Sequence, residues 1–290
     1  MSNPLKVALI GANGQLGTDI VNHFSQGDRY QLTALTRADI DITQPEVVER
    51  VLTSQKFDVV INSAAYVRVD DCEKEIELAF NVNAIAALHV ARACRQIEAL
   101  CVYISTDYVF RGDRPNAYTE SDIPDPINIY GTSKLTGEHL VRQTAPRSLI
   151  LRISSVFGKA GASGKGGNFV ETMIKKAKAG DPIKVVNDIF MSPTYTYDVA
   201  RLLDELLQAG TTGIIHGANA GQCSWHEFAS QALSLAHITH PIEAIPASAF
   251  PTKAVRPMNS ALISDRLDDI TTFKMRPWQE AIAAYIKSRD

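Results

Sequence analysis

Short apolar runs alternate with longer amphipathic stretches along the chain. The apolar runs predict buried strands, and they cover residues 5–10, 31–36, 58–62, 101–105, 148–153, 183–186 and 213–217. Helical patterns between successive strands are typical of βαβ units, in which helices cover both faces of a parallel sheet. The pattern therefore predicts an α/β protein with a doubly wound parallel sheet.

Three amphipathic stretches carry specific helix signals. Thr43 and Glu46 are spaced as a capping box, with Pro45 in the first turn, so a helix is predicted to open there. Ser224 and Glu227 form a second such pair. Residues 75–97 keep apolar side chains near helical spacing, which predicts one long crossover helix.

Composition narrows the class of protein. The 290 residues are 45% hydrophobic and 21% charged, with a net charge of -3, which is typical of a globular protein and excludes a basic arm for nucleic acid. Four scattered cysteines give no disulfide framework, and no apolar run has the length of a membrane span. The first apolar run is too short for a signal peptide. We expect a cytoplasmic protein that acts on a small molecule, without nucleic-acid or membrane partners.

A glycine-rich turn follows the first predicted strand and reads G-A-N-G-Q-L-G over residues 11–17. Glycines there allow the backbone to approach a pyrophosphate, which then lies at the positive end of the following helix. The order of strand, turn and helix predicts a dinucleotide site in an NAD(P)-binding Rossmann fold. The expected contacts from the turn are Gly11, Asn13, Gly14, Gln15, Leu16 and Gly17.

The end of the second predicted strand decides which dinucleotide is favoured. An acidic side chain there accepts the ribose hydroxyls, whereas a basic one accommodates a 2′-phosphate. Arg37 occupies this place and favours NADPH. Asp41 and Ile42 follow as further expected cofactor contacts, and NADH stays an open alternative.

Regular alternation weakens from about residue 154, where Gly and Pro punctuate shorter elements. We therefore expect residues 1–153, with about 183–218, to form the NAD(P)-binding domain, and residues 154–182 and 219–290 to form a smaller substrate-binding lobe. The stretch 158–167 resembles a phosphate-binding P-loop but fails its spacing, and we expect a mobile loop over the active site instead.

Tyr130 and Lys134 form a YxxxK pair, which places both side chains on one face of a helix. An ammonium beside a phenol is expected to lower the pKa of the tyrosine, so that it donates a proton to a carbonyl that receives a hydride. Thr106 ends the fourth predicted strand, where it is expected to hydrogen-bond the same carbonyl. These three residues are the predicted catalytic group.

The glycine turn, N-S-A-A over 62–65, S-T-D-Y-V-F over 105–110 and Y-G-T-S-K over 130–134 stand in the order of an extended short-chain dehydrogenase/reductase, which the chain resembles. More narrowly, residues 64–70, 105–110, 186–188, 192–194 and 256–260 resemble the dTDP-4-dehydrorhamnose reductase family. The resemblance covers nearly the whole chain. It implies reduction of the 4-keto group of dTDP-4-dehydro-L-rhamnose with hydride from a nicotinamide.

The resemblance also implies roles for particular residues. Tyr130 would donate the proton, Lys134 would bind the nicotinamide ribose, and Thr106 would orient the carbonyl. Further cofactor contacts would come from Ala64, Ala65, Tyr66 and Asn83. The nucleotide-sugar side would be formed by Val67, Tyr108, Arg256 and Asn259.

The chain departs from the family pattern at two places. Residues 152–157 read R-I-S-S-V-F where reductases of the family commonly carry a tryptophan, and Met191 replaces a small residue before S-P-T. A different nucleotide-linked 4-keto sugar therefore stays open as substrate.

Trp225 and Trp278 are predicted to pack inside the protein. The run Lys175, Lys176 and Lys178 is predicted to face solvent, with a phosphate contact as the alternative.

Two other functions stay open on the sequence. One is a nucleotide-sugar epimerase or dehydratase, although dehydratases usually follow the catalytic threonine with Asp-Glu, whereas Asp107 and Tyr108 follow here. The other is an NADP-binding regulatory subunit, because the β subunit of methionine adenosyltransferase carries similar motifs.

His237 and His240 are the closest approach to a metal motif, and no catalytic metal is predicted. A homodimer is an open alternative.

Overall fold

The computed structural model describes residues 3–161 and 167–289. Its strands, in chain order, are β1 Leu5–Ile10, β2 Tyr30–Leu35, β3 Val59–Asn62, β4 Leu100–Thr106, β5 Ser148–Ile153, β6 Val156–Phe157, β7 Ile183–Val186, β8 Phe190–Met191, β9 Thr194–Tyr195, β10 Gly213–His216, β11 Cys223–Ser224 and β12 Ile242–Ile245. Its α-helices are α1 Gln15–Phe24, α2 Pro45–Thr53, α3 Val69–Cys72, α4 Ile76–Phe80, α5 Ala86–Ile97, α6 Ile129–Thr144, α7 Phe169–Ala179, α8 Thr196–Gln208, α9 Trp225–Leu235, α10 Leu267–Ile270 and α11 Trp278–Lys287.

The central sheet is parallel throughout, with strand order β2-β1-β3-β4-β5-β10. The chain moves outward from β1 to β2 and then continues on the other side of β1 with β3. Every residue of β3 and β4 is buried, as expected for strands covered on both faces. The predicted doubly wound parallel sheet is confirmed.

Helices cover the two faces of this sheet with separate apolar layers. On one face α1 and α8 pack over residues such as Val7 and Leu9 of β1. On the other face α2, α5 and α6 pack over Ala8 and Ile10 of the same strand. Alternate residues of one strand thus serve opposite layers, as the period of a strand requires.

A second lobe is built from α7, α9 and α11 around small strand pairs, with its own apolar core. Strand β7 lies here and pairs in parallel with β12, so its assignment to the NAD(P)-binding domain is wrong. A four-residue apolar run does not reveal which sheet it joins, because its partner is distant in sequence. In the rest of the segment 183–218, strand β10 pairs with β5 at the edge of the central sheet, and helix α8 covers one face of that sheet.

Two helix predictions need correction. Helix α2 begins at Pro45 without a side-chain cap, and Thr43 instead donates from its backbone N and its hydroxyl to Asp41 Oδ1, at 3.0 and 2.7 Å. The short aspartate side chain competes for these donors by forming a local turn. The predicted long helix is continuous over residues 76–97, but residues 81–85 form a π-helical turn between α4 and α5.

The capping box of Ser224 and Glu227 is confirmed at the start of α9, with both reciprocal hydrogen bonds present. The loop predicted over residues 158–167 lies partly outside the described residues, at 162–166. Among the helices of the described part of the chain, none has both the length and the apolar character needed to cross a membrane.

Candidate active site

A cleft of about 1040 Å³ lies between the carboxyl ends of the central strands and the second lobe. In doubly wound sheets ligands bind at this edge, beside the point where the strand order reverses. The structure brings ten of the predicted site residues to its walls: Gly14, Gln15, Leu16, Ala65, Val67, Thr106, Tyr108, Tyr130, Lys134 and Arg256. The motifs that are far apart in sequence therefore meet in one cleft.

Thr106 ends β4 and its hydroxyl is held in a fixed network. The hydroxyl donates to Asp107 Oδ1 at 2.9 Å and accepts from the backbone N of Tyr108 at 3.2 Å. Ser154 donates to the other carboxylate oxygen of Asp107 at 2.9 Å. Burial raises the pKa of Asp107 to about 6, although hydrogen bonds from Ser260, Ser154 and Thr106 favour its charged form. Asp107 was not predicted as a site residue.

Tyr130 lies in the first turn of α6, opposite Thr106. The side chain of Asn128 caps this helix by accepting from the backbone N of Gly131 at 2.8 Å. Gly131 must be glycine, because a Cβ there would overlap the carbonyl oxygen of Tyr108. The close approach of α6 to the chain after β4 places Tyr130 beside Thr106 on the wall of the cleft.

The pKa of Tyr130 is raised, mainly by burial, although the nearby hydroxyl of Thr106 lowers it. The expected lowering toward neutrality by Lys134 is therefore wrong for this structure. Loss of water around the phenol outweighs the favourable contacts. A raised pKa keeps the phenol protonated at neutral pH, which is the form that a proton donor needs.

Lys134 is 1% exposed and its ammonium is directed at β4. Its Nζ donates to the carbonyl oxygen of Ile104 at 2.7 Å and lies 3.9 Å from the centre of the Tyr103 ring. Burial lowers the pKa of Lys134 to about 7, and the carboxylate of Glu138 raises it. The charge of Lys134 is thus sensitive to its surroundings at neutral pH.

Asn83 lies in the π-helical turn and is fully buried. Its Oδ1 accepts from the backbone N of Tyr66 at 2.8 Å, and its Nδ2 donates to the carbonyl of Tyr66 at 3.1 Å and to Ser133 Oγ at 3.0 Å. The amide thus fixes the segment after β3 against α6. Neither Asn83 nor Tyr66 lines the cleft itself, and Asn83 positions the backbone beside Ala65.

The glycine turn has the shape that a diphosphate requires. Gly11 has a φ of 82°, and a Cβ at Gly17 would overlap the carbonyl oxygen of Gly11. Helix α1 begins at Gln15, and its N-cap Gly14 supplies no side-chain cap. The first backbone N–H groups of a helix have no partner within the helix, so this end suits an anion. Asn13 is exposed on the same turn.

The residues after β2 have divided roles. Arg37 is exposed, and among the described residues it makes no ion pair. Asp39 Oδ2 accepts from the backbone N and the hydroxyl of Thr36, at 2.8 and 2.7 Å, which lowers the pKa of this carboxyl. Asp41 is similarly engaged by Thr43. Local turns therefore occupy the acidic groups and leave the arginine available.

Two predicted cofactor contacts present no free side chain to a ligand. Ile42 is 6% exposed and belongs to the apolar layer under α2, so only its backbone can reach a cofactor. Ala64 packs against the same layer, and its backbone N donates to Asn62 Oδ1 at 3.2 Å.

Arg256 reaches the cleft from the second lobe. Its Nη2 donates to Asp70 Oδ2 at 2.8 Å, and Asp70 also accepts from the backbone N of Ala254 at 3.0 Å. Nη1 of Arg256 is buried and has no hydrogen-bond partner among the described residues. A buried guanidinium N–H without a partner costs free energy, so it marks a place for a ligand acceptor.

Asn259 is not brought to the cleft, contrary to its predicted contact with the nucleotide sugar. Its Nδ2 donates to the carbonyl oxygens of Arg114 and Pro115, at 3.0 and 2.8 Å, and its Oδ1 accepts from Ala261 at 3.1 Å. It is 5% exposed and clamps a loop. Its neighbour Met258 lines the cleft instead.

Sequence reasoning missed several aromatic residues of the cleft. Phe169 and Trp225 form an edge-to-face pair with ring centroids 4.7 Å apart, and both line the cleft, as does Phe250. Trp225 therefore packs as predicted but also faces the ligand space, whereas Trp278 is 7% exposed. The sequence signal that could have indicated Phe169 is Asn168, an N-cap residue before an amphipathic helix, because it places Phe169 in the first turn of that helix.

Two further residues bear on specificity. Lys175, Lys176 and Lys178 are exposed, as predicted, and Lys176 also lines the cleft from α7. Ser155 also lines it, with a φ of 42°, in the stretch where the family pattern has an aromatic residue. Within the described ranges, no cluster of His, Cys, Asp and Glu has the arrangement to hold a metal ion.

A doubly wound parallel sheet with a glycine turn and a Thr-Tyr-Lys group in one cleft defines an oxidoreductase of the short-chain dehydrogenase/reductase class. The sequence profile of the RmlD substrate binding domain matches residues 5–290. The chain belongs to this RmlD family, and the resemblance predicted from the motifs is confirmed.

Three relatives illustrate this membership. The spore coat polysaccharide biosynthesis protein SpsK of Bacillus subtilis is 38% identical, with 98% of each chain covered. The dTDP-4-dehydrorhamnose reductase of Aggregatibacter actinomycetemcomitans is 34% identical, over 96% of this chain and 97% of that protein. A crystal structure of dTDP-4-dehydrorhamnose reductase from Bacillus anthracis in complex with NADP has a TM-score of 0.93 and 36% identity, covering 98% of this chain and 99% of that one.

Proposed function

We propose that the protein reduces the 4-keto group of a nucleotide-linked 6-deoxysugar with NADPH, and that dTDP-4-dehydro-L-rhamnose is its substrate. The observation that carries the proposal is the meeting of Thr106, Tyr130 and Lys134 with the glycine turn in one cleft. The names of the reductase relatives and the NADP complex of the Bacillus anthracis enzyme support it. The product would be dTDP-L-rhamnose.

The chain's own residues divide the work of this reaction. A bound reduced nicotinamide supplies the hydride. Tyr130 donates the proton to the carbonyl oxygen, and Thr106, on the wall of the same cleft, orients that carbonyl. Lys134 supplies a positive charge behind Tyr130 and binds the ribose of the cofactor. A donor placed in advance stabilises the oxygen on which negative charge develops.

The two alternative functions make different demands. A dehydratase would need an acidic group directly after the Asp that follows Thr106, and Tyr108 stands there. A regulatory subunit would need no proton donor, whereas here Tyr130 lies on the cleft within reach of Thr106. Reduction uses all three residues; an epimerase would use them too but would recycle its nicotinamide, so net oxidation of NADPH distinguishes the two.

The test is NADPH oxidation, followed by absorbance, with dTDP-4-dehydro-L-rhamnose and with 4-keto-6-deoxysugars linked to UDP or GDP. We expect fast turnover with the dTDP sugar and dTDP-L-rhamnose as product. Turnover only with another sugar would overturn the substrate and keep the reaction. Tight NADPH binding without turnover on any sugar would overturn the reaction itself.

Replacement of Arg37 tests the choice of cofactor. We expect Arg37→Ala to raise the KM for NADPH by about 10- to 100-fold, because a charged hydrogen bond contributes about 1.5–3 kcal/mol. The KM for NADH should stay within about twofold. Parallel steady-state measurements with both cofactors check this, and equal effects on the two would show that Arg37 does not touch the 2′-phosphate.

Replacement of Arg256 tests the sugar-nucleotide side. Arg256→Gln removes the buried N–H group that has no hydrogen-bond partner among the described residues, so we expect the KM for the nucleotide sugar to rise by about tenfold or more. The Kd for NADPH should not change, and fluorescence titration of the cofactor measures it. Asp70→Asn is the matched variant, because it keeps the guanidinium of Arg256 and removes only the negative charge of the group that binds its Nη2. An unchanged KM in Arg256→Gln would remove this residue from the site.

A further inference from the structure

A fully buried ion pair lies behind the catalytic helix. Glu138 and Arg152 are 2% and 1% exposed. Arg152 donates from Nε to Glu138 Oε1 at 2.9 Å and from Nη2 to Oε2 at 2.7 Å. Ser105 donates to the same Oε1 at 2.5 Å. The carboxylate of Glu138 therefore accepts three hydrogen bonds from two strands, and all of this lies away from solvent.

These contacts connect the elements that carry the catalytic group. Glu138 follows Lys134 by one helical turn on α6, so the two side chains share a face. Ser105 directly precedes Thr106 on β4. The residue before Ser105 is Ile104, whose carbonyl oxygen accepts a hydrogen bond from the ammonium of Lys134. Glu138 thus ties α6 to the strand on which Thr106 stands.

Stability alone is a weak reason for such a pair. Removing two charges from water costs several kcal/mol per ion, and apolar residues of similar volume are often equally stabilising. Beyond the pair, Arg152 Nη1 lies 3.4 Å from His216 Nε2, and burial beside Arg152 lowers the pKa of His216 to about 4. His216 is therefore neutral, so the positive charges near Glu138 are those of Arg152 and Lys134.

The charged and titratable groups that face Lys134 come from two elements. They are Glu138 on α6 and Tyr103 on β4. Burial disfavours the ammonium, and the carboxylate of Glu138 is the group that favours it. The ring of Tyr103 and the carbonyl of Ile104 add the remaining contacts.

We propose that Glu138, held by Arg152 and Ser105, is a positioning residue that keeps the Lys134 ammonium charged and fixes α6 against β4. It touches neither substrate nor cofactor and acts through Lys134. The inference about activity rests on the proposed function, but the charge state of Lys134 is a property of the protein itself. The two are tested by separate measurements.

The test is Glu138→Gln, which keeps the shape of the side chain and removes its charge. We expect the pKa of Lys134 to fall by at least about 1 unit, the low end of the effect of a nearby opposite charge. NMR titration of protein labelled with ¹³C,¹⁵N-lysine measures it without substrate, and Lys134→Met assigns the signal. Because activity needs the ammonium, it is lost as the pH rises, and this alkaline limb should move down by a similar interval.

Two further variants separate charge from folding. Glu138→Gln leaves the buried guanidinium of Arg152 without the negative charge beside it and is expected to be destabilised. The double variant Glu138→Leu with Arg152→Met restores an apolar fit, and it should still show the lowered pKa of Lys134. Asp198→Asn is the matched control, because Asp198 is also buried and bound by an arginine, Arg276, but lies outside the cleft.

The outcomes are distinct. An unchanged Lys134 titration in both Glu138 variants, with only a lower thermal midpoint, would show that the pair is structural and overturn the proposal. The same shift in Asp198→Asn would also overturn it, since it would then reflect general loosening. A shifted titration with no turnover of any sugar would support the role of Glu138 and contradict the proposed function alone.

Discussion

Tyr130→Phe should lower kcat by about 10²- to 10⁴-fold, the contribution of a positioned general acid, while NADPH binding stays within about twofold of the unchanged protein. The phenol hydroxyl lies in the cleft beside Thr106, and the raised pKa of Tyr130 keeps its proton in place at neutral pH. The benzyl ring of Phe preserves the packing against Tyr108, whose ring centroid lies 5.9 Å away. The measurements are steady-state kinetics and a fluorescence titration of the cofactor.

A matched control removes another tyrosine hydroxyl at a distance from the cleft. Tyr30→Phe breaks a 2.5 Å hydrogen bond to Asp204 between β2 and α8. It should lower the free energy of unfolding by about 1.5–3 kcal/mol, because the acceptor is charged, and leave kcat unchanged. Turnover by Tyr130→Phe at the rate of the unchanged protein would assign the proton to another donor.

Gly137→Ala should damage both folding and catalysis. A Cβ at Gly137 would overlap the carbonyl oxygen of Asn83 and lie 2.5 Å from Tyr103 Oη, which donates to that carbonyl at 2.7 Å. Helix α6 must therefore move away from the π-helical turn and β4. Overpacking of this kind costs about 1–3 kcal/mol, and a displacement of about 1 Å at a catalytic group lowers the rate about 10²-fold.

Chemical denaturation measures the first effect and kcat the second. Gly27→Ala is the matched control, because Gly27 has a φ of 84° with no atom within 4 Å of an added Cβ. It should cost about 1–2 kcal/mol of backbone strain and leave kcat unchanged. If Gly137→Ala were as active as Gly27→Ala, the close approach of α6 to Asn83 would not position the catalytic group.

The catalytic wall of the cleft was predictable because its signals are local. The glycine turn follows a strand directly, and Tyr130 and Lys134 share a helix. Thr106 ends a strand, and the ends of parallel strands meet at one edge of a sheet. Each of these inferences needs only a few adjacent residues and the rule for doubly wound sheets.

The opposite wall was not predictable, because it depends on pairing between distant segments. Strand β7 joins β12 rather than the central sheet, and this pairing brings Lys184 and Val186 to the cleft. The direction of a side chain was equally hidden. Asn259 and Met258 are neighbours, yet the amide of Asn259 is bound by a loop and Met258 faces the ligand space.

Electrostatics was the least predictable part. The spacing of Tyr130 and Lys134 indicates an attraction that lowers the pKa of the phenol, but the sequence does not show how much water each side chain loses. In the folded protein burial outweighs that attraction at Tyr130 and lowers the pKa of Lys134 as well. Asp107 lies in the S-T-D-Y-V-F motif that carries the family resemblance. Burial raises its pKa as well, so it becomes a titratable group of the site.

The π-helical turn at residues 81–85 fixes the number of residues between α4 and α5. A π turn accommodates one residue more than an α turn, so it behaves as a single-residue insertion that the helix has absorbed without breaking. Deleting one of these residues would restore a regular α-helix and rotate α4 by about 100° relative to α5. Buried Ala79 would then exchange places with an exposed neighbour, and Tyr66 would lose the amide that holds it. The number of residues between α4 and α5 is therefore as strictly determined as the identity of the residues in the cleft.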